Sequence, residues 1–299
     1  MIITDNKRLS KSLNITLVDS FNRIQNSIDI SAAICTRKFA ANLISQHLPN
    51  LKFIQLTSAG FDGVDIEDAK KQNIVICNAA DVYNIGMAEF IVYAMLMKAK
   101  RYNHSINNTH IRPFRNYKYI TELDGKTVGI LGVGNIGYEV AKRLSSFNMR
   151  ILGYALHTRR KPYFETIYGP DEVNKFLIQC DYIINCLPLT NQTDKLISCL
   201  WFDNMKHDVT FINVGRKQTI NDTDFIHFLK KNKEAIAILD MFETFPNPFF
   251  NPYRRLSNVK ILPGVTAISK EIDSKLKDLC AHNIAAINNC EQLRNRLWK

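Results

Sequence analysis

The chain has 299 residues, of which 46% are hydrophobic and 22% charged, so it is long enough for two domains that each bury a core. The formal net charge of +11 raises the question of a nucleic-acid partner, but the lysines and arginines are scattered, with short clusters at 157–161 and 230–233. Because no basic stripe with interleaved aromatic residues occurs, the composition argues against nucleic acid as the main partner.

The seven cysteines show neither a CxxC pair nor the spacing of a metal site. Most lie in apolar runs such as AAICT (32–36) and IVICN (74–78), which is typical of small buried hydrophobic residues in a reducing environment. The first ten residues, MIITDNKRLS, lack the pattern of a signal peptide, and we expect no apolar run of membrane-spanning length. The prediction is a cytoplasmic protein without a membrane partner.

Strand-like and helix-like segments alternate along the chain, which predicts an α/β protein with parallel sheets covered by helices. In the first part of the chain, strands are predicted at 32–36, 53–58 and 74–78, and helices near 37–47, 65–72 and 87–102. The mixed polar run at 103–123 has the composition of a connector.

A second alternating series starts with the apolar strand KTVGILG (126–132) and the amphipathic helix NIGYEVAKRLSSFN (135–148). Its later strands are predicted at 150–154, 182–188, 209–215, 235–240 and 259–262, and the end of the chain is helical again. We therefore predict a first domain formed by residues 1–101 plus 269–299 and a second domain formed by residues 102–268.

The sequence GVGNIG, which starts at Gly132, follows an apolar strand and opens a helix, the context that a dinucleotide-binding loop requires. Gly132 permits a tight turn, Gly134 lets the backbone approach a pyrophosphate, and Gly137 lets the helix pack closely on the strand. Asn135 and Ile136 lie at the helix N-terminus, where free N–H groups favour phosphate. The motif predicts a dinucleotide site.

The end of the next strand bears on the choice of dinucleotide. An NAD site usually has Asp or Glu there, about 20 residues beyond the loop, to accept from the ribose 2′-hydroxyl. Here that position falls near Ala155, which cannot accept, and the residues that follow suit a 2′-phosphate: His157, Thr158, Arg159 and Arg160. The sequence favours NADP(H), with NAD(H) as the alternative; a solvated basic loop would explain the same residues.

Several further blocks occur in a characteristic order: LPNLKFIQLTSAGFDGVD (48–65), NAADVYNIGMAEF (78–90), LDGKTVGILGVGNIG (123–137), CLPLTNQT (186–193), FINVGR (211–216) and AILDMF (237–242). With them the chain resembles, over nearly its whole length, the D-isomer-specific 2-hydroxyacid dehydrogenases, which include glyoxylate/hydroxypyruvate reductase, phosphoglycerate dehydrogenase and formate dehydrogenase. The resemblance implies two doubly wound parallel-sheet domains, a Rossmann cofactor domain inserted into a flavodoxin-like substrate domain. It also implies an active site in the cleft between them, a 2-keto or 2-hydroxy acid as substrate and a homodimer.

The resemblance further implies roles for individual residues. The backbone N–H groups of Ser58, Ala59 and Gly60 would hold the substrate carboxylate, and Arg216 would bind the 2-keto acid and polarise its carbonyl group. Asp240 would lie near the nicotinamide carboxamide. The other residues implied beside the cofactor are Leu187, Pro188, Thr190, Thr193 and Val214.

The chain departs from the family at the catalytic pair. Gly264 stands where the family has the histidine that protonates the alkoxide, and Phe245 where it has the glutamate that orients this histidine and raises its pKa. The residue after Arg216, a glycine in the family, is Lys217. Candidate substitute proton donors are Lys217, Glu243, Thr266, Lys270 and His282.

Two hypotheses follow. The first is an NAD(P)-dependent oxidoreductase that transfers hydride between the nicotinamide and a 2-keto or 2-hydroxy acid, with a non-standard proton donor. The second is a catalytically impaired dinucleotide-binding pseudoenzyme that acts as a sensor or an interaction subunit. A nucleic-acid-associated relative rests only on charge and fold analogy. We favour the enzyme because a pure binding role would not need Arg216.

Overall fold

The computed structural model describes residues 1–18, 29–101, 120–240 and 251–298. The strands are β1 (Ile2–Thr4), β2 (Thr16–Leu17), β3 (Ala32–Cys35), β4 (Phe53–Leu56), β5 (Val75–Cys77), β6 (Thr127–Leu131), β7 (Arg150–Tyr154), β8 (Thr166–Tyr168), β9 (Tyr182–Asn185), β10 (Thr210–Asn213), β11 (Ile236–Asp240) and β12 (Val259–Leu262). The α-helices are α1 (Lys7–Leu13), α2 (Arg37–Ser45), α3 (Ile66–Lys71), α4 (Ala80–Ala99), α5 (Asn135–Leu144), α6 (Val173–Leu177), α7 (Cys199–Phe202), α8 (Asp222–Lys231) and α9 (Ile272–Asn289).

The chain divides into two compact units, one made of Met1–Tyr83 with Ser269–Lys299 and the other of Asn84–Ile268. The first division falls within α4, N-terminal to the boundary at residue 101 that the sequence predicted. The later turns of α4 belong to the second unit and contact other residues of it. The Lys98 ammonium lies 5.4 Å from the centre of the Tyr182 ring, and Arg143 pairs with Glu89 at 3.5 Å.

The first unit is built on a parallel five-stranded sheet in the order β2-β1-β3-β4-β5. This is the flavodoxin-like order, so the prediction for the first domain is confirmed. All residues of β3 and β4 are buried, as expected for parallel strands that are covered on both faces. Asn6 and Asp65 cap α1 and α3 by accepting hydrogen bonds from N–H groups of the first turn.

The second unit is built on a parallel seven-stranded sheet in the order β12-β11-β10-β9-β6-β7-β8. Starting from β6 this is the Rossmann order with one further strand at the edge, so the predicted α/β fold is confirmed here as well. The chain reverses its direction of winding between β6 and β9, which pair along Val128–Leu131. In such sheets ligands bind at the carboxyl ends of the strands next to this switch point.

An aromatic cluster forms the centre of the second core. Phe202 of α7 stacks on Phe225 of α8 with ring centroids 5.0 Å apart, and Phe211 of β10 contacts Phe225 at 5.1 Å. Tyr253 closes the cluster, and its buried hydroxyl donates to Asp222 at 2.6 Å. Burial, together with this carboxylate, raises the pKa of Tyr253 well above its usual value, so the phenol stays neutral.

Most predicted elements are present, with ends within a few residues of the expected ones. The strands β1, β2 and β8 were not predicted, because two or three residues are too few to establish an alternating pattern. Helix α4 begins at Ala80 rather than at residue 87, since the polar residues and glycine of its first turns obscure the apolar spacing.

By length and composition α4 could cross a membrane, since its mean hydropathy is 1.2 over a window of which 33% is buried. Our expectation that no apolar run approaches this length was therefore wrong. One such helix is weak evidence for a membrane protein, because core helices of soluble proteins meet the same criterion.

All seven cysteines are free, and Cys35, Cys77, Cys180 and Cys280 are buried. Burial raises the pKa of each of these thiols above its usual value, so they are neutral and pack as small apolar groups. Within the described parts of the chain, no group of three or more His, Cys, Asp or Glu side chains could hold a metal ion.

Truncation of Phe225 tests the aromatic cluster. We expect Phe225→Ala to lower the free energy of unfolding by about 3–5 kcal/mol, because it removes a fully buried ring that contacts several others. Urea denaturation followed by circular dichroism measures this. Leu200→Ala is the control, because Leu200 on α7 is 73% exposed and its truncation should change stability little. A loss below about 1 kcal/mol for Phe225→Ala would contradict the cluster's importance.

Candidate active site

The glycine loop follows β6 as predicted. Gly132 has a φ of +92°, and a Cβ there would lie 3.1 Å from the carbonyl oxygen of Cys186. A Cβ at Gly137 would lie 2.2 Å from the carbonyl oxygen of Gly132, so a larger residue would push α5 away from the strand. Gly134, at the N-cap of α5, faces open space, with nothing within 4 Å of an added Cβ. A tight turn beneath and free space above the helix N-terminus fit a pyrophosphate.

The basic residues after β7 are exposed, and the strand that carries them lies beside the glycine loop. The N–H of Gly132 donates to the backbone carbonyl oxygen of Tyr154, at the end of β7, at 3.0 Å. His157, Thr158, Arg159 and Arg160 are all exposed. The sequence analysis did not single out Lys161, whose ammonium donates to the carbonyl oxygen of Val133 and thereby ties this segment to the loop.

The loop after β9 is braced internally. Thr193 is buried, and its hydroxyl donates to the carbonyl oxygen of Pro188 at 2.6 Å and accepts from the N–H of Thr190 at 2.8 Å. Thr193 therefore shapes the turn that presents Leu187 and Pro188. Burial raises the pKa of the neighbouring Cys186 to about 12, which keeps this thiol neutral and unreactive.

A buried polar cluster, not anticipated from the sequence, connects β9 to β10. The Asn185 amide nitrogen donates to Asn213 at 2.6 Å and to the Thr219 hydroxyl at 2.9 Å, while its amide oxygen accepts from the Leu187 N–H at 3.1 Å. The backbone carbonyl of Asn185 accepts from the N–H of Val214 at 3.1 Å. The only sequence signal was an asparagine at the end of two adjacent apolar strands.

Arg216 follows β10 in a turn with a fixed backbone. Its carbonyl oxygen accepts from the Thr219 hydroxyl at 2.7 Å, and its side chain is half-exposed. A Cβ at Gly215 would lie 2.8 Å from the carbonyl oxygen of Leu187, so glycine is needed where this turn passes the β9 loop. The ammonium of Lys217 pairs with Asp222 at 2.9 Å, and so this candidate donor is held by a carboxylate.

Asp240, at the end of β11, is 3% exposed and accepts from the N–H of Val265 at 3.2 Å and from the Thr266 hydroxyl. It therefore holds the segment that follows β12. In that segment Gly264 has a φ of +73°, in the left-handed region that glycine adopts more readily than other residues. The position where the family resemblance implies a histidine thus has a backbone conformation that suits glycine.

Three further candidate donors were named from the sequence: Glu243, Lys270 and His282. Phe245 and Glu243 lie outside the described residues. Lys270 and His282 belong to the first unit, where both are exposed. In the second unit, the predicted site residues lie at the carboxyl ends of neighbouring strands: the glycine loop after β6, Leu187 after β9, Arg216 after β10 and Asp240 at the end of β11.

In the first unit the loop 57–60 follows β4. Each of its four carbonyl oxygens accepts a hydrogen bond. Thr57 accepts from the Tyr83 hydroxyl at 2.6 Å, and Ser58 from the Ala79 N–H at 3.0 Å. Ala59 accepts from the Asn78 amide at 2.7 Å, and Gly60 from the Ser58 hydroxyl at 2.8 Å. Within the described part of the chain, the N–H groups of Ser58, Ala59 and Gly60 donate to nothing. A loop with satisfied carbonyls and successive free N–H groups is an anion-binding arrangement.

The comparisons with known proteins agree with this geometry. The family model for the NAD binding domain of D-isomer specific 2-hydroxyacid dehydrogenases matches residues 90–265. A glyoxylate reductase of Thermofilum pendens is 32% identical over 275 residues, which cover 88% of this chain and 80% of that protein.

Two solved structures share the fold over almost the whole chain. A D-isomer specific 2-hydroxyacid dehydrogenase family protein of Aeromonas salmonicida has a TM-score of 0.82 at 24% identity, with 99% of this chain and 98% of that chain covered. An NADPH-dependent glyoxylate/hydroxypyruvate reductase of Sinorhizobium meliloti, in complex with NADP and malonate, has a TM-score of 0.80 at 23% identity, covering 99% and 96%.

The residues that match the family model lie in the second unit, whose sheet carries the glycine loop and Arg216. The family inferred from the sequence blocks is thereby confirmed. The chain belongs to the D-isomer specific 2-hydroxyacid dehydrogenase family, and its second unit carries that family's NAD-binding domain.

Proposed function

We propose that this protein is an NADP(H)-dependent reductase of a small 2-keto acid, or the corresponding 2-hydroxyacid dehydrogenase in the reverse direction. The observation that carries the proposal is the loop 57–60: its four carbonyl groups all accept hydrogen bonds, while among the described residues the N–H groups of Ser58, Ala59 and Gly60 have no acceptor. A carboxylate that accepts from these N–H groups gains charge-assisted hydrogen bonds without any rearrangement of the loop.

Arg216 is the electrophile in this proposal. Its guanidinium binds the keto acid and stabilises the negative charge that develops on the carbonyl oxygen. The turn 217–219 and the buried Asn185 cluster hold the backbone of Arg216 at the carboxyl end of β10. A bound reduced nicotinamide supplies the hydride.

The proton comes from a donor other than histidine, or from water. General acid–base catalysis contributes on the order of 10² to 10⁴ in rate, which corresponds to roughly 3 to 5.5 kcal/mol of barrier. Losing this term slows the reaction but leaves the contributions of Arg216 and of the bound geometry. We therefore expect a slow enzyme rather than an inert one.

Gly264 motivates a second candidate function. Its left-handed conformation and the absence of the family's histidine suit a protein that binds the dinucleotide without turnover, as a sensor or an interaction subunit. Such a protein would bind NADPH tightly and would change its shape or its association on binding. The activity assay below separates the two functions.

The preference for NADP(H) rests on the exposed basic segment 157–160, which follows β7 and is tied to the glycine loop by Lys161. Ala155 cannot accept from a ribose 2′-hydroxyl, whereas two arginines suit a 2′-phosphate. The similarity in fold to the reductase of Sinorhizobium meliloti, which was solved in complex with NADP, supports the same choice. NAD(H) remains the alternative cofactor.

The homodimer is also a proposal. A groove of about 890 Å³ in the second unit is lined by Phe90, Tyr93 and Met97 of α4 and by Ile238 and Ile261 of the sheet. Tyr93 is 51% exposed, and β12 is an edge strand. Apolar surface rimmed by cations marks an interaction site, and a second copy of this chain is the partner that the family resemblance implies.

Replacement of Arg216 tests the proposed reaction. Wild-type protein should oxidise NADPH with at least one member of a panel containing glyoxylate, hydroxypyruvate, pyruvate and branched 2-keto acids. Arg216→Gln should lower kcat/KM by about 100-fold or more, because it removes the charge that stabilises the oxyanion. Absorbance at the nicotinamide band measures both.

The control for this assay is Gln218→Ala, an exposed position on the same turn, which should retain wild-type activity. No turnover by wild-type protein with any keto acid, while nicotinamide fluorescence shows NADPH binding, would establish the pseudoenzyme instead.

The double variant Arg159→Gln/Arg160→Gln tests the cofactor preference. Because a hydrogen bond to a charged group contributes about 1.5–3 kcal/mol, we expect the Kd for NADPH to rise at least about tenfold and the Kd for NADH to stay unchanged. Fluorescence titration gives both constants, and Lys230→Gln, an exposed lysine on α8, is the control. Equal weakening of both cofactors would show that these arginines do not contact a 2′-phosphate.

Multi-angle light scattering tests the groove. Wild-type protein should run at the mass of a dimer, and Tyr93→Asp should shift it to the monomer, because a buried unpaired carboxylate opposes the interface. Leu200→Asp, at an exposed apolar residue of α7, should remain dimeric. A wild-type protein with the mass of one chain would overturn this proposal.

A further inference from the structure

The loop 57–60 is fixed from behind by Asn78, which directly follows β5. The Asn78 amide donates to the carbonyl oxygen of Ala59, as described above, and the residue is almost fully buried. Its own backbone carbonyl accepts from the side-chain amide of Gln55 at 3.1 Å, and its N–H donates to the carbonyl oxygen of Asn295 at 3.0 Å. Asn78 thus joins the loop to two other parts of the first unit.

Gln55 is a fully buried polar residue in the apolar strand β4. Its amide nitrogen donates to Leu56 at 3.0 Å as well as to Asn78, and its amide oxygen accepts from Asn283 at 2.6 Å. A buried amide is costly unless its hydrogen bonds are made, so the position of Gln55 depends on Asn283.

Asn283, on α9, is also fully buried and recognises the backbone of one residue near the C-terminus. Its amide oxygen accepts from the N–H of Arg294 at 2.9 Å, and its amide nitrogen donates to the carbonyl oxygen of Arg294 at 3.1 Å. The hydrogen bonds from β4 to α9 therefore end on the C-terminal segment, residues 294–297.

The C-terminal segment is held at both of its ends. Asp81, in the first turn of α4, pairs with the Arg294 guanidinium and accepts from the Asn295 amide at 2.6 Å. Arg296 forms an antiparallel bridge with Cys77, and the N–H of Leu297 donates to Ile76 at 3.0 Å. The segment therefore covers β5, the edge strand of the sheet, directly before Asn78.

We propose that the C-terminal segment, acting through Asn283, Gln55 and Asn78, positions the loop 57–60 and thereby sets the affinity for the substrate carboxylate. The proposal rests on the proposed function, in which this loop is the carboxylate site. The residues of the network are positioning residues, because none of them presents an N–H group to the ligand. The whole network lies in the first unit, whereas the dinucleotide site lies in the second.

Asp81→Asn tests the proposal with a small change at a half-exposed residue. It weakens the hold on Arg294, and we expect the Kd for oxalate in the presence of NADPH, and the KM for the keto acid, to rise about tenfold. The Kd for NADPH and kcat at saturating keto acid should stay within about twofold, a split that general destabilisation would not produce. Deletion of residues 294–299 should have a larger effect in the same direction.

The control is Asp278→Asn, which makes the same charge change at an exposed position on α9. Hydrogen exchange of the peptide that contains residues 57–60 is measured on the same proteins. The two network variants should exchange faster there than the wild type and the control, because the carbonyl groups of the loop lose their support.

Unchanged exchange of the loop, or unchanged oxalate affinity in both network variants while the wild type binds oxalate, would overturn the proposal. A wild-type protein that neither binds oxalate nor reduces any keto acid would instead overturn the proposed function. The exchange measurement would in that case still decide whether the C-terminal segment holds the loop.

Discussion

Buried Asn and Asp side chains at strand ends donate or accept hydrogen bonds that hold the loops leaving neighbouring parallel strands. Asn78 after β5 holds the loop after β4, Asn185 of β9 holds the turn after β10, and Asp240 of β11 holds the segment after β12. In a parallel sheet these loops leave from one edge, and their carbonyl groups can find partners within the protein as well as in water. Where they do, the N–H groups and charged side chains of the loops remain available to a ligand.

Removing one partner from these braces is costly. A buried amide without partners costs about 1–3 kcal/mol, so each of the polar clusters depends on all of its members. Gln55 depends on Asn283 in this way, and Asn185 on Asn213 and Thr219. Binding sites at strand ends are therefore sensitive to residues that never contact the ligand.

The carboxyl edge of the sheet in the second unit carries the loops that the family resemblance assigns to the cofactor and the substrate. The glycine loop, the β9 turn and Arg216 have the backbone support that dinucleotide and keto-acid binding require. Gly264 lies in a left-handed conformation that favours glycine, and Asp240 is engaged with Val265 and Thr266. In the proposed function the stabilisation at this edge is electrostatic and comes from Arg216.

The sequence by itself determined the α/β fold, the strands and helices long enough to show a period, the glycine loop and the family, because these depend on local patterns of burial and on short motifs. The glycine at position 264, where the family resemblance implies a histidine, could also be read from the sequence. The tertiary structure decided which distant residues form hydrogen bonds. Gln55 and Asn283 are bonded although they are 228 positions apart, and Lys161, in the segment after β7, donates to Val133. It also placed Tyr93 and Met97 of α4 in the second unit, where the sequence had drawn a boundary at residue 101. No periodicity encodes a hydrogen bond between two amides that the fold alone brings into contact.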